Sequence, residues 1–127
     1  MVSKSDILNE IGSLESYMEH TLVQSVYPEA GSGSNVEIAY LGLGLAGEAG
    51  EAVDVIKKIV RMGEPVTLED KHNLEEYRAK LLGELGDTIW YMAQIMRVFG
   101  FTLEEVINFN VIKLNARINK GEVKHHS

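Results

Sequence analysis

The sequence predicts an all-α protein folded as an antiparallel four-helix bundle. Four stretches carry apolar residues at helical spacing, and we find no convincing strand pattern. Each stretch begins with a Ser or Thr followed three residues later by an acid. The hydroxyl can accept from an unpaired N–H, and the acid favours the positive end of the helix. The pairs are Ser3 with Asp6, Ser34 with Glu37, Thr67 with Asp70, and Thr102 with Glu105.

The ends of these stretches are marked by Pro and Gly. We expect helices over residues 4–25, 35–62, 68–99 and 103–119. The first ends before Pro28, and the others end at Gly63, Gly100 and Gly121, because glycine readily adopts the conformation that closes a helix. The second and fourth start pairs have Glu at the fourth position, which predicts complete capping boxes. The connections after the second and third helices are short, which favours antiparallel neighbours.

The same residues set the domain organisation. A chain of 127 residues can bury one core, and we expect a single domain over residues 1–121. Residues 28–34, Pro-Glu-Ala-Gly-Ser-Gly-Ser, predict a flexible loop between the first two helices. Residues 122–127 predict a frayed tail.

Composition excludes several classes of function. The chain has no cysteine, so disulfides and zinc–thiolate sites are excluded. Its net charge of −7 lacks the basic footprint that nucleic acids or anionic membranes need, so we expect neither as a partner. Lys4, Asp6 and Glu10 interrupt any export signal, and the apolar run from Ala39 to Gly47 is far shorter than a membrane span. A cytoplasmic protein is expected.

Two acidic motifs lie where a core is expected. They are Gly-Glu-Ala-Gly-Glu at 47–51 and Gly-Glu-Leu-Gly-Asp at 83–87. Acid pairs at i, i+3 are no commoner in this chain than chance predicts, so the interpretation of these acids depends on the residues around them. Glu48 and Glu84 fall on the apolar stripes of their helices, where an unpaired carboxylate costs several kcal/mol. Each interior glycine costs about 1 kcal/mol relative to alanine but permits close approach of another helix or a ligand.

Pairing and metal binding are the two ways to satisfy these acids. Lys58 lies near the direction of Glu51 and Lys80 near that of Asp87, but Glu48 and Glu84 have no local cation. The four carboxylates Glu48, Glu51, Glu84 and Asp87 would form an all-oxygen cage that suits Mg²⁺, with Mn²⁺ as the second choice. A di-iron bundle needs two Glu-x-x-His pairs, and the chain has one, Glu69 to His72.

The last helix carries a cationic counterpart. Asn110, Lys113 and Arg117 share one face, a set that suits a polyphosphate bound through metal ions. The alternative is that the two cations merely favour the helix C-terminus. Tyr27, Trp90 and Tyr91 are candidates for stacking on a base, although aromatics at helical spacing are more often core residues.

These motifs resemble the MazG-like, all-α nucleoside triphosphate pyrophosphohydrolases. The resemblance rests on Glu-x-x-Glu, Glu-x-x-Asp and the later Asn-x-x-Lys-Leu-x-x-Arg, and covers roughly residues 24–117. It implies Mg²⁺-dependent hydrolysis of a (d)NTP to the monophosphate and pyrophosphate, in nucleotide-pool house-cleaning or regulation. It also implies that dimerisation completes the bundle, as a homodimer or a dimer of dimers.

The resemblance and the chemistry of the residues together suggest a mechanism with roles for individual residues. The four acids would bind metal, and Glu48 would also accept a proton from the attacking water. Asn110, Lys113 and Arg117 would bind substrate, with Lys58 as a further phosphate contact. Two other classes stay open: a non-enzymatic helical interaction module, whose acids meet basic residues of a partner, and a nucleotide-binding regulator without turnover.

Overall fold

The computed structural model describes residues 14–61, 63 and 71–121, and these residues form helices and no strand. The helices are α1 (Leu14–Val23), α2 (Asn35–Arg61), α3 (Lys71–Phe99) and α4 (Leu103–Asn119). The all-α prediction is therefore confirmed for the described residues, and the C-terminal end of each helix lies within two residues of the predicted one. The predicted start of the first helix, the pairs Ser3 with Asp6 and Thr67 with Asp70, residue Glu69, and the tail 122–127 lie outside the described residues.

Helices α2 and α3 form an antiparallel pair. Near the start of α2, Gly44 faces Tyr91 near the end of α3. Near the end of α2, Val55 and Ile59 are buried against Tyr77, in the first half of α3. The residue numbers of the contacts therefore increase along α2 while they decrease along α3, as in an antiparallel pair. Most contacts between the described helices belong to this pair.

One stripe of α2 supplies much of the small core. Leu41, Ala52, Val55 and Ile59 are buried on α2, and Ala93 and Met96 are buried on α3. The α2 residues recur at the spacing of one helical face, and that face also carries Glu48. The prediction that this glutamate lies on the apolar stripe is confirmed.

Polar side chains join α1 to the end of α3. The Arg97 guanidinium donates to the Met18 carbonyl at 3.0 Å, to Thr21 Oγ1 at 2.8 Å and to Ser25 Oγ at 3.1 Å. It also donates to Gln94, whose side chain is fully buried. Because Met18, Thr21 and Ser25 lie on α1 or just after it, Arg97 helps to hold that helix against α3.

Helix α4 begins as predicted but packs differently. The Thr102–Glu105 capping box is complete, with both hydrogen bonds at 3.0 Å. No residue of α4 is buried, and it makes few contacts with the described parts of α1, α2 and α3. The packed unit within the described residues is therefore the α2–α3 pair with α1 beside it, and a four-helix bundle is not seen. No described helix is both long and apolar enough to cross a bilayer.

The loop before α2 is held by a buried carboxylate. Glu37 accepts from the backbone N–H groups of Gly31 and Gly33, each at 2.8 Å. The second predicted capping box is therefore only half formed. Ser34 Oγ accepts from the Glu37 N–H at 3.2 Å, but the Ser34 N–H donates to Ser32 Oγ instead of to Glu37. A local pattern predicts the serine's role but not the carboxylate's more distant partners.

Gly44 is the interior glycine that another side chain contacts most closely. A Cβ built at this position would lie 2.1 Å from Tyr91 Cε1. The Tyr91 ring cannot simply move aside, because it packs 5.1 Å from Trp90 and 6.3 Å from Tyr40 between ring centroids. The close approach of α2 to α3 therefore requires glycine here.

We expect Gly44→Ala to lower the free energy of unfolding by about 2 kcal/mol, since overpacking outweighs the gain in helix propensity. Gly47→Ala is the matched control, because a Cβ there meets no described atom within 4 Å. It should raise stability by about 1 kcal/mol. Urea unfolding followed by circular dichroism measures both. Equal effects of the two substitutions would contradict the packing argument.

Candidate metal centre and substrate cleft

The antiparallel pairing of α2 and α3 brings acids of both motifs together. One carboxylate oxygen from each of Glu48, Glu84 and Asp87 lies within 4.8 Å of the other two. Glu48 and Glu84 are half-buried and Asp87 is exposed. Helix geometry explains the convergence, because Glu84 and Asp87 are one turn apart on α3 and face the same level of α2.

Glu51 joins this group through Glu84. The pKa of Glu84 is raised to about 7 by three causes together: a hydrogen bond with the neighbouring Glu51 carboxyl, burial, and Glu48. Burial also raises the pKa of Glu48, with the charges of Glu51 and Asp87 acting in the same direction. Carboxylates this close repel one another in their charged forms, so the group resists full ionisation without a cation.

Two buried oxygens of this group have no partner. Glu48 Oε2 and Glu84 Oε2 are shielded from solvent, and no donor within the described residues reaches them. The alternative of pairing with lysines is not seen among the described residues. Lys58 binds Asp54 at 3.0 Å rather than Glu51, and Lys80 binds Glu76 at 3.5 Å rather than Asp87. No lysine or arginine among the described residues therefore pairs with the cluster of Glu48, Glu51, Glu84 and Asp87, called the acidic cluster below.

This donor set fits a hard divalent cation. Carboxylate oxygens from two helices are close enough to share an ion, and the two buried oxygens lack any other partner. Mg²⁺ prefers such oxygen ligands and keeps several of its waters, for which the exposed side of Asp87 leaves room. Within the described residues the cluster contains no histidine, which a di-iron site of the Glu-x-x-His type requires.

An open cleft of about 450 Å³ adjoins the acidic cluster. It is lined by Gln24, Glu48, Asp87, Trp90 and Tyr91. Trp90 donates its indole N–H to Gln24 Oε1 at 3.0 Å, which fixes one side of the cleft. The cleft therefore combines an acidic end with an aromatic wall, a combination that suits a ligand with a charged part and a flat part.

The three aromatic candidates lie together. Trp90 and Tyr91 line the cleft, with their rings edge to face at 5.1 Å. Tyr27 lies behind them, stacked on Tyr40 at 5.3 Å and edge to face with Trp90 at 6.1 Å. Burial and the neighbouring Tyr40 raise the pKa of Tyr91 to about 12, so its hydroxyl stays protonated.

The cationic candidates are not joined to the acids. Asn110 and Lys113 are exposed on α4 and Arg117 is half-buried there. Within residues 14–61, 63 and 71–121, no ion pair links Lys113 or Arg117 to the acidic cluster. Lys58 is bound to Asp54. A single chain thus brings the acids together, but the side chains predicted to contact phosphate form no ion pair with them among the described residues.

The four glycines that flank the acids lie beside open space. We expected each to permit close approach of a helix or a ligand. A Cβ at Gly47, Gly50, Gly83 or Gly86 would have no described atom within 4 Å, so no described helix approaches them, and approach of a ligand stays a prediction. These positions lie open around the acidic cluster.

Sequence reasoning missed two parts of the site. Gln24 carries no motif, and its position beside Trp90 arises only from the turn after α1. Glu37 was interpreted as a capping acid, although its carboxylate also accepts from the Tyr27 hydroxyl at 2.6 Å. A glutamate near a Gly-Ser-Gly run and a tyrosine was the available signal, but these contacts depend on how the loop folds.

Comparisons with known proteins place the chain in a family. The sequence profile described as MazG nucleotide pyrophosphohydrolase domain matches residues 37–121. The chain is also 36% identical over 101 residues to the "Gene 37 protein" of Mycobacterium phage L5, covering 79% of this chain and 83% of that protein. No solved structure matches it significantly. The profile spans both acidic motifs and all of α4, so the chain belongs to the MazG nucleotide pyrophosphohydrolase domain family.

Proposed function

We propose that this protein is a Mg²⁺-dependent nucleoside triphosphate pyrophosphohydrolase, which converts a (d)NTP and water to the (d)NMP and pyrophosphate. The observation that carries the proposal is the convergence of Glu48, Glu84 and Asp87 within 4.8 Å, without a lysine or arginine partner among the described residues. The family match supplies the reaction class. The adjoining cleft supplies the space for substrate.

The acidic cluster would hold the ion, through Glu48, Glu51, Glu84 and Asp87. Bound Mg²⁺ lowers the pKa of a coordinated water and neutralises phosphate charge. Glu48 is the proton acceptor in this proposal, because burial raises its pKa and it lies at the cleft. Water adds to the α-phosphorus, the bond from that phosphorus to the bridging oxygen breaks, and pyrophosphate leaves.

Binding of the leaving pyrophosphate is assigned to cations. Lys113 and Arg117 would contact its oxygens, Asn110 would orient sugar or phosphate, and Lys58 would add a further phosphate contact. Because these α4 residues are free of the acidic cluster in one chain, we propose that assembly brings such a set to each cleft.

A homodimer, alone or paired into a tetramer, fits the surface of the chain. Large apolar side chains of α2 and α3 are widely exposed, including Leu43 at 75%, Val53 at 62% and Leu82 at 62%. Exposed apolar surface on this scale marks an interaction face. The open glycines beside the acids leave room for a second helix on the same surface.

The test is pyrophosphate release across a panel of the eight common dNTPs and NTPs with Mg²⁺, with EDTA as the control. We expect release that requires the metal and a preference for one base or sugar. Binding of nucleotide without release would favour the regulator instead. Neither binding nor release would favour the helical interaction module.

A further inference from the structure

Glu37 is the most deeply buried charged side chain among the described residues, at 1% exposure. Its carboxylate accepts from the Tyr27 hydroxyl at 2.6 Å and from the N–H groups of Gly31 and Gly33, each at 2.8 Å. Buried carboxylates are stable only when donors of this kind satisfy them. The bond from Tyr27, then those from the two glycines, lower the pKa of Glu37, so it stays ionised.

The hydrogen bonds of Glu37 do more than hold the loop before α2. The two glycine N–H groups fix residues 31–33 relative to α2. The Tyr27 hydroxyl is a separate donor, and its bond to Glu37 fixes the direction of an aromatic ring. A charge-assisted bond of 2.6 Å is short and strong, so the ring has one preferred position.

That ring supports the wall of the cleft. Tyr27 stacks on Tyr40 with an interplanar angle of 8° and meets Trp90 edge to face at 86°. Trp90 in turn lines the cleft beside Glu48 and Asp87. A continuous chain of contacts therefore runs from a buried carboxylate at the start of α2 to the surface where a substrate would lie.

We propose that Glu37 is a positioning residue for substrate binding, which acts through the Tyr27 hydroxyl to hold Trp90 in the wall of the acidic cleft. The inference rests on the proposed function for its kinetic part, because a nucleotide must bind in that cleft. Its structural part does not depend on activity. Glu37 touches no acid of the cluster, so it affects binding of the substrate rather than the chemical step.

Trp90 is the single tryptophan of the chain, so its fluorescence reports on the wall alone. Tyr27→Phe removes one hydroxyl and keeps the ring, and Glu37→Gln removes the charge. In the metal-free protein we expect both to increase acrylamide quenching of Trp90, by about twofold, as the wall loosens. Glu105→Gln is the matched control, since Glu105 is also a capping carboxylate that accepts a backbone N–H but lies on α4 and does not line the cleft. It should change nothing.

Kinetics complete the test with the nucleotide that the wild-type protein hydrolyses fastest. We expect Tyr27→Phe to raise KM about fivefold and to change kcat less than about twofold. Unchanged quenching in Tyr27→Phe, or a fall in kcat at constant KM, would overturn the proposal. If Glu37→Gln fails to fold by circular dichroism, Tyr27→Phe still decides. An inactive wild-type protein whose variants show the quenching change would refute the proposed function while supporting the positioning of Trp90.

Discussion

Asp87→Asn is expected to reduce Mg²⁺-dependent pyrophosphate release about 10²- to 10³-fold, a size typical of losing one charged group that stabilises the reacting centre. Asp87 is the exposed member of the three converging acids, so the substitution removes a charge without opening a core. The helices should therefore remain folded. Initial rates at saturating Mg²⁺ and circular dichroism of the same sample measure the two halves of this expectation.

Two further variants test whether the loss of activity is specific to the acidic cluster. Glu51→Gln should lose activity similarly, because its carboxyl acts directly on Glu84. Glu76→Gln is the control on α3, since Glu76 is exposed, pairs only with Lys80 among the described residues and lies outside the acidic cluster. Its rate should stay within about twofold of wild type. Full activity in Asp87→Asn would remove the basis of the metal assignment.

Mg²⁺ is expected to raise the melting temperature by about 10 °C when its free concentration is about 100 times its Kd. A ligand that binds only the folded state adds about 2.7 kcal/mol at that ratio, and each kcal/mol is worth about 4 °C in a domain of this size. A pure interaction module should show no such shift. Differential scanning calorimetry with MgCl₂, against NaCl of equal ionic strength, measures it.

This stabilisation should grow with pH. Glu84 has a pKa of about 7 in the folded, metal-free chain, above its ordinary 4.5, so its neutral form stabilises the fold at low pH. That contribution is lost as pH rises from about 4.5 through about 7. Because Mg²⁺ would bind the ionised form, the melting shift is expected to be larger at about pH 8 than at about pH 6. A shift independent of pH, or retained in Asp87→Asn, would contradict a metal site at this cluster.

Much of the fold follows from local chemistry that the sequence displays. The capping pair at Thr102 and the glycines at 63, 100 and 121 predict where helices begin and end, because caps act within one turn. The stripe of α2 predicts that Glu48 faces inward, since helical periodicity alone decides it. The convergence of the acids then requires only that α2 and α3 run antiparallel.

Other contacts depend on a choice among several available partners, which helical periodicity alone does not rank. The lysines near Glu51 and Asp87 had nearer acids on their own helices, so Lys58 binds Asp54 and Lys80 binds Glu76. Periodicity indicates that α4 has an apolar face, but it cannot say which surface covers that face. The Glu37 N–H donates to Ser34 as the capping pattern predicts. Its carboxylate does not accept from the Ser34 N–H, because it accepts from the Tyr27 hydroxyl and the loop instead.

The glycines around the acidic cluster have a further consequence for the choice of ion. A Cβ built at Gly47, Gly50, Gly83 or Gly86 would meet no described atom within 4 Å, so the surface beside the carboxylates is open. Magnesium surrenders its hydration shell reluctantly, whereas larger ions such as calcium accept full enclosure by protein ligands. Open space beside the carboxylates would allow an ion to bind while it keeps most of its water ligands. An open surface beside the carboxylates would therefore suit an ion that keeps part of its water shell.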